Sequence, residues 1–518
     1  MTAQTMEQQT AYLRVSTGLD TLDTLLHGGL PSGELYVVNG SPGAGKTTLA
    51  LHFLQAGAAK GEKVLCISLS QRVESLEQTA KSVELDVSDV TFCDLSSVAA
   101  IKKLSERQTI FDTSELELVE TMQALMDLIE AEAPSRVVFD GVSQLRMLAN
   151  NSMTYRQQLF MLRDYMNTRN IAVLLTDSQS GAAGDMELVA MAHGVITLTV
   201  EVTEHGSAHR YLEVSKMRAS VYEPGLHDFE ITDKGIQVYQ SHQHADGTKL
   251  ATVQSAQLPA PILRDSGIPA LDRLINGGLH SGTTCLMLGP SGTGKTSIST
   301  VFAHRLAHTG SKASIFLFDE SITTFLRRSK GLGMEFEHLI AADLIHVHEL
   351  SFGNITPGKF ASLVDQDVEK WGAEIVIIDT LTGYLNAMPT KARLISQMHE
   401  ITRRLNQQNV LTFLIVAQHG VIGVSMDIAI DISYLADTVL LFRHFETAGE
   451  LRQAISVYKN RYGAHKKQIC EVLLRSGGIQ INEGLGQFSG ILSGLPRQQE
   501  SSRNIDELAV AKATTGAA

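Results

Sequence analysis

Two stretches decide the fold: GSPGAGKTT, Gly40–Thr48, and GPSGTGKTS, Gly289–Ser297. Each follows an apolar run, GELYVVN in one case and CLML in the other, and each leads into a helical pattern. Both fit GxxxxGK[ST] in the strand–loop–helix context that gives this spacing its meaning. Glycines let such a loop curl so that successive backbone N–H groups face an anion, at a helix N-terminus whose dipole favours negative charge. On this reading Gly40, Ser41, Gly43, Ala44, Gly45, Lys46, Thr47 and Thr48 form one phosphate cradle. Gly289, Ser291, Gly292, Thr293, Gly294, Lys295, Thr296 and Ser297 form the other. Lys46 and Lys295 would reach the β- and γ-phosphates of ATP, and the Thr47 and Thr296 hydroxyls would ligate Mg2+.

Outward from the loops the chain repeats itself. STGLDTLDTLLHGGLPSG, from Ser16, recurs as DSGIPALDRLINGGLHSG, from Asp265, and the offset of 249 holds without a gap through Lys46 and Lys295. RVVFD, ending at Asp140, matches EIVIID, ending at Asp379. Lys216-Met217-Arg218 matches Lys459-Asn460-Arg461, and Gly235-Ile236-Gln237 matches Gly478-Ile479-Gln480. A period of about 240 residues is a whole domain rather than a solenoid unit. The expected organisation is a first domain over 12–240, a polar linker over 241–262, a second domain over 263–497 and a tail over 498–518.

Within each copy, unbroken apolar runs alternate with helical patterns: KVLCISL, RVVFD and IAVLLTD in the first, ASIFLFD, EIVIID and VLTFLIV in the second. Strands without in/out alternation belong to sheets covered on both faces, so the fold class is α/β, with a mostly parallel sheet flanked by helices in each copy. Hydrophobic residues make up 43% and charged residues 19%, enough to build sizeable cores. The formal charge of −13 gives no overall attraction to nucleic acid or to an anionic membrane. Cys66, Cys93, Cys285 and Cys470 form no CxxC pair and read as core residues of a reducing compartment. The start of the chain has no apolar leader, and no apolar run approaches the ~18 residues that span a bilayer. A soluble, cytoplasmic protein is expected.

Asp140 and Asp379 end apolar strands, at the sheet edge where open α/β folds bind ligands. A strand-end aspartate alone is more often a helix cap; following a P-loop at this separation, it is expected to hold Mg2+. The copies are chemically unequal. Asp319-Glu320 follows the strand ASIFLF, whereas the same register in the first copy holds Ser70-Gln71. A carboxylate there can polarise water against a γ-phosphate, and serine or glutamine cannot do so comparably. Glu320, Asp319 and Lys295 are therefore the candidate catalytic residues, with the second domain turning ATP over and the first binding it mainly for assembly.

The doubled GGLxxG–P-loop–KxR pattern resembles the KaiC family, circadian-clock-type ATPases and autokinases of the RecA-like superfamily. The resemblance runs from about residue 14 to 497 and takes in FSGILSGLP, Phe488–Pro496. It implies two tandem RecA-like P-loop domains, a hexamer with ATP between subunits, and a KxR pair supplied by the neighbour. That pair would be Lys216 and Arg218 in the first domain and Lys459 and Arg461 in the second. A KaiB-like adaptor or other signalling partner is also implied. In the family the acidic pair of the second domain serves autophosphorylation of adjacent Ser and Thr residues. Gap-free alignment through IGVSMDIAIDISYLADTVL puts those positions at Ser433 and Tyr434, and a nearby family threonine at Ile428. Only Ser433 keeps an aliphatic hydroxyl. The reading is an ATPase with serine autokinase activity, working as a signalling or timing switch. Its alternatives are a RecA-type DNA-handling ATPase, opposed by the charge of −13 and the single Trp371, and a scaffold glued by ATP, opposed by Glu320 in the second domain.

Overall fold

The computed structural model describes residues 13–95, 114–147, 152–178, 183–202, 208–241, 262–351, 355–386, 391–418, 433–447, 449–463, 465–482, 484–491 and 497–498. Most of the expected linker, the tail after Gln498, Ile428, and residues 492–496 of the late FSGILSGLP stretch lie outside these. The chain divides into two compact units, Met1–Thr248 and Lys249–Ala518.

Unit 1 is built on nine strands: β1 Leu35–Gly40, β2 Val64–Ser68, β3 Thr91–Asp94, β4 Arg136–Asp140, β5 Ala172–Ser178, β6 Gly194–Val202, β7 Ala208–Met217, β8 His227–Thr232 and β9 Gly235–Tyr239. Unit 2 repeats them as β10 Thr284–Gly289, β11 Ala313–Leu317, β12 Ile345–Glu349, β13 Ile375–Asp379, β14 Leu411–Ala417, β15 Thr438–Thr447, β16 Glu450–Asn460, β17 Cys470–Arg475 and β18 Gly478–Ile481. The sheet order is β9-β8-β7-β6-β1-β5-β4-β2-β3 in unit 1 and, read in the same direction, β18-β17-β16-β15-β10-β14-β13-β11-β12 in unit 2. The strands from β6 to β3 are mutually parallel, and β7, β8 and β9 continue the sheet as an antiparallel meander.

The apolar runs behave as sheet interiors require. Along β1, Tyr36 and Val38 enter one core while Leu35 and Val37 enter the core on the other face. Along β10, Cys285 and Met287 go one way, Leu286 and Leu288 the other. Successive side chains point to opposite faces, so a strand with a core on each side carries no polar alternation. The meander is different: β7 alternates buried with half-exposed residues, which is why no continuous apolar run marks it in the sequence.

Each P-loop links its strand to a helix, α1 (Lys46–Ala58) after β1 and α2 (Lys295–Ala307) after β10. The residue before each helix, Gly45 (φ 105°) or Gly294 (φ 92°), is left-handed. A Cβ at Gly45 would also lie 2.9 Å from Ile231 Cδ1, so this turn needs glycine for both reasons.

A buried arginine ties unit 1 together. Arg136, at the start of β4, is fully buried. Its guanidinium forms a fork onto Glu62 (2.5 and 2.8 Å) and donates to the carbonyls of Ser16 (2.7 Å) and Phe53 (3.0 Å). In unit 2 the matching β13 residue is Ile375, and the ion pair there is formed by Arg264 with Glu374, with Ser281 bonded to the same arginine. Truncating one member of a buried pair strands the other, at a cost of 3–5 kcal/mol where burial is complete; with Glu62 a quarter exposed, we place the Arg136 cost at about 3 kcal/mol. Arg136→Ala should therefore lower the urea midpoint of a circular-dichroism transition. The fluorescence transition of Trp371, the single tryptophan and a unit 2 residue, should not move.

Candidate functional site

In unit 2 a cleft of about 360 Å³ lies at the carboxyl edge of the parallel strands. The P-loop forms one wall, and Asp319, Glu320, Arg328, Asp379 and Thr380 face it. The Lys295 ammonium donates to the carbonyls of Gly289 (2.7 Å) and Pro290 (2.6 Å), and Thr293 Oγ1 donates to Pro290 O (2.8 Å). In unit 1 Lys46 bonds in the same way to Gly40 O (2.8 Å) and Ser41 O (2.9 Å), and the Ala44 amide donates to Ser41 O. Each lysine is thus held over its own loop, where incoming phosphate oxygens would compete with carbonyls for it. Burial pulls Lys295 down to about 8, against the opposing charge of Asp379. Burial lowers Lys46 too, against Asp140 and then Asp177.

The strand-end aspartates sit where the sequence reading put them. Asp379 is only 6% exposed; burial lifts it to about 6 even though Thr296 hydrogen-bonds it and Arg328 and Lys295 lie near, Glu320 adding to the lift. Asp140 is likewise raised by burial, against hydrogen bonds from Thr176 Oγ1 (2.7 Å) and Thr47 Oγ1 (3.1 Å). A P-loop hydroxyl joined to a buried carboxylate is an all-oxygen, hard donor set. It fits Mg2+, which takes few protein ligands and keeps its waters.

Asp319 and Glu320 follow β11 at this edge. Arg328, on helix α3 (Ile322–Gly331), forks onto Glu320 with bonds of 3.1 and 2.8 Å and reaches Ser297 Oγ at 3.4 Å. Asp319 accepts a 2.5 Å bond from Thr380 Oγ1. The first unit has a helix at the same offset, Val73–Ser82, with Thr79 in the register of Arg328. There the Gln71 side-chain oxygen accepts from Ser75 Oγ (3.3 Å), so neither charge of the second site is present. Arg328 escaped the sequence reading because no motif flags it; comparing the two copies residue by residue past Glu320 would have found it. Asp177 escaped as well. It ends the buried part of β5, pairs with Arg146 (3.2 Å), and has Val416 as its counterpart in unit 2.

The structure does not bring the KxR residues to the P-loop of their own unit. Lys216 pairs across the sheet with Val195, which pairs with Val37 near the start of β1, whereas the loop leaves from Gly40. Lys216 donates to Val189 O (2.7 Å) and Ala190 O (2.9 Å), and Arg218 to Ala190 O (2.7 Å). In unit 2 Lys459 donates to Ser433 O (3.0 Å) and Ala436 O (2.8 Å), and Arg461 to Asp437 (3.4 Å). Ser433 opens a short 3₁₀ turn just before β15. It shares the amino edge of the sheet with Lys459, opposite the nucleotide cleft.

Among the described residues, no helix is long and apolar enough to cross a membrane. The family model described as "ATPase: KaiC" matches residues 15–243 and again 264–485. The circadian clock oscillator protein KaiC of Parathermosynechococcus lividus is 23% identical over 501 residues, covering 95% of this chain and 88% of that protein. The protein of the same description from Synechococcus elongatus is 23% identical over 493 residues, covering 94% and 92%. The one from Prochlorococcus marinus is 22% identical over 490 residues, covering 94% and 96%. Two P-loop units of one strand order, both matched by one family model, make this chain a member of the KaiC family of ATPases.

Proposed function

We propose that the protein is a hexameric Mg-ATP hydrolase in which domain 2 turns ATP over and domain 1 binds it mainly to hold subunits together, so that nucleotide state works as a signalling or timing switch. The observation that carries this reading is the pairing of Glu320 with Arg328 in a cleft whose first-domain counterpart holds Gln71 and Thr79. Glu320 is the group that takes the proton of the attacking water, and the two-point fork from Arg328 fixes its orientation. Thr296 and Asp379 would hold Mg2+, which when bound would supply positive charge against the phosphates. Lys295 would exchange its loop carbonyls for phosphate oxygens, and Thr47 and Asp140 would hold the metal in domain 1.

Lys216 and Arg218, with Lys459 and Arg461, would serve the nucleotide of a neighbouring subunit. Their position on the sheet edge away from their own loops supports that role. Ser433 lies on the same edge, so its phosphorylation would also occur between subunits. A KaiB-like adaptor is the partner class that fits a switch of this kind. A DNA-handling role finds no support in the charge of −13.

Glu320→Gln should cut steady-state phosphate release by about 100-fold or more while ATP is still bound, and Lys46→Ala should impair assembly in size-exclusion chromatography. Hydrolysis intact in the first, or abolished in the second without loss of assembly, would show the domain roles to be wrong.

Asp379 gives a pH signature. Its carboxyl binds a proton more tightly folded (about 6) than unfolded (3.8), so stability falls as pH rises through that window. In nucleotide-free buffer Asp379→Asn should match the wild type near the lower value and exceed it above the upper one, by roughly 2–3 kcal/mol in denaturant unfolding. It should also lose Mg-dependent hydrolysis.

Intact mass after incubation with Mg-ATP tests the kinase. One phosphate on the wild type that is absent from Ser433→Ala supports transfer to that hydroxyl. Phosphate release without any adduct leaves an ATPase whose output is conformational.

A further inference from the structure

Away from the nucleotide cleft, unit 2 carries a second constellation of ligand-type side chains. The edge strand β12 reads IHVHE, so His346 and His348 share one face while Val347 packs against the core on the other. Opposite them the helix Pro357–Asp365 runs into a π-helical turn, Gln366–Trp371, which lays Asp367 over the strand. His346 Nδ1 lies 3.0 Å from Asp367 Oδ1, and His348 Nε2 lies 2.6 Å from Asp367 Oδ2. Among the described residues this is the one group of three or more His, Cys, Asp or Glu side chains whose ligand atoms all fall within 4.8 Å of one another.

The surroundings hold these groups in place. Trp371 stacks on the His346 ring at 3.6 Å and 9°, and Phe316 stacks on His348 at 4.8 Å and 8°. Ser314 Oγ donates to Asp367 Oδ2 at 2.5 Å. Behind His346, Asp343 Oδ1 faces Nε2 at 3.3 Å, and Asp343 is itself fixed by the Trp371 indole N–H at 2.9 Å. A carboxylate behind an imidazole whose other nitrogen points into a cluster is the usual outer arrangement of a metal-binding histidine.

Charge balance points the same way. A neutral imidazole has one N–H and one lone pair, yet both nitrogens of His346 face carboxylates. Lys312 reaches Asp343 at 3.7 Å, but among the described residues no lysine or arginine lies within ion-pair distance of Asp367. A metal ion between the imidazoles and Asp367 would take a lone pair from each ring and offset the carboxylate charge. The first copy holds Thr91 and Cys93 at the matching registers, so the cluster is no by-product of the fold.

We propose that His346, His348 and Asp367 bind a divalent transition-metal ion of the zinc class, with water completing a four-coordinate shell, which clamps the edge strand β12 to the π-helical turn. Two imidazoles and one carboxylate favour zinc over magnesium. Bonds of about 2.0–2.1 Å in a tetrahedron separate ligand atoms by about 3.3 Å, so from 3.0 and 2.6 Å the His346 ring must back away by about 0.3 Å and the His348 ring by about 0.7 Å. Their side chains are 34% and 27% exposed, which gives room for that shift and a way in for the ion.

The test uses the full chain, stripped with a chelator and titrated with zinc chloride in excess Mg2+, then with Co2+ as a spectroscopic probe. The expected result is one zinc per chain at this site and the visible bands of tetrahedral Co2+. His348→Ala and Asp367→Asn should each weaken zinc binding by more than about tenfold, and Asp343→Asn by about tenfold. A competing imidazole pair is His304 on α2 and His308 just past its end, with ring nitrogens 3.3 Å apart, and His304→Ala should leave the stoichiometry unchanged. Zinc binding lost in His304→Ala but kept in His348→Ala would overturn the assignment. So would the absence of zinc at about tenfold molar excess. Should the His348 variant fail to fold, the cobalt spectrum of His304→Ala, tetrahedral or absent, decides the matter.

Discussion

A carboxylate and an ammonium, both buried and both pushed toward neutrality, set the terms for the nucleotide cleft of unit 2. Burial lifts Asp379 to about 6 and drops Lys295 to about 8, although each partly offsets the other. Two charges taken out of water in this way are costly unless something else compensates them. A magnesium ion would answer the aspartate and a polyphosphate the lysine, so Mg-ATP would relieve both at once. The scaffold has to keep them in place meanwhile. The two cores on either face of the sheet hold β10 and β13 rigid, and the left-handed Gly294 turns the loop toward the cleft.

The two units share a strand order and differ in which charges they install, and they do so in pairs. Glu320 comes with Arg328, whereas Gln71 comes with Thr79. Arg136 comes with Glu62, and where Ile375 replaces it the pair Arg264–Glu374 appears instead. Asp177 comes with Arg146, and its counterpart is the uncharged Val416. Half of such a pair leaves a poorly solvated charge without its partner, and that costs more than the whole pair or none. Comparing positions two at a time therefore says more about these domains than comparing them singly.

The parts legible in the sequence are those whose physics is local. A P-loop is one continuous segment, and the strands ending in Asp140 and Asp379 are unbroken apolar runs, so both could be read directly. The KaiC resemblance rested on the same segments and their repetition. The antiparallel meander was not legible, because half-exposed strands such as β7 mix polar and apolar residues. Arg328 and Asp177 were missed since their partners lie on other elements. His346 and Asp367 are 21 residues apart and meet through a π-helical turn, which no periodicity announces.

The separation of the two sheet edges bears most directly on how such a protein works. In each unit the phosphate loop leaves from the carboxyl end of the central strand, while the KxR lysine faces, on the next strand, a residue that pairs three positions nearer the amino end of the central strand, about 10 Å of strand away. The lysines there are already engaged with carbonyls of their own unit, those of Val189 and Ala190 or of Ser433 and Ala436. Cations so placed lie away from the phosphate loop of their own unit, which is what the proposed service to a neighbouring subunit would require. In the hexamer proposed above, the chemistry of one cleft would depend on the docking of the next subunit. Lys459 also holds the carbonyl of Ser433. In that proposed assembly, a neighbour's nucleotide that drew Lys459 away would loosen its hold on the Ser433 turn, and this would couple the proposed acceptor to the site it would face.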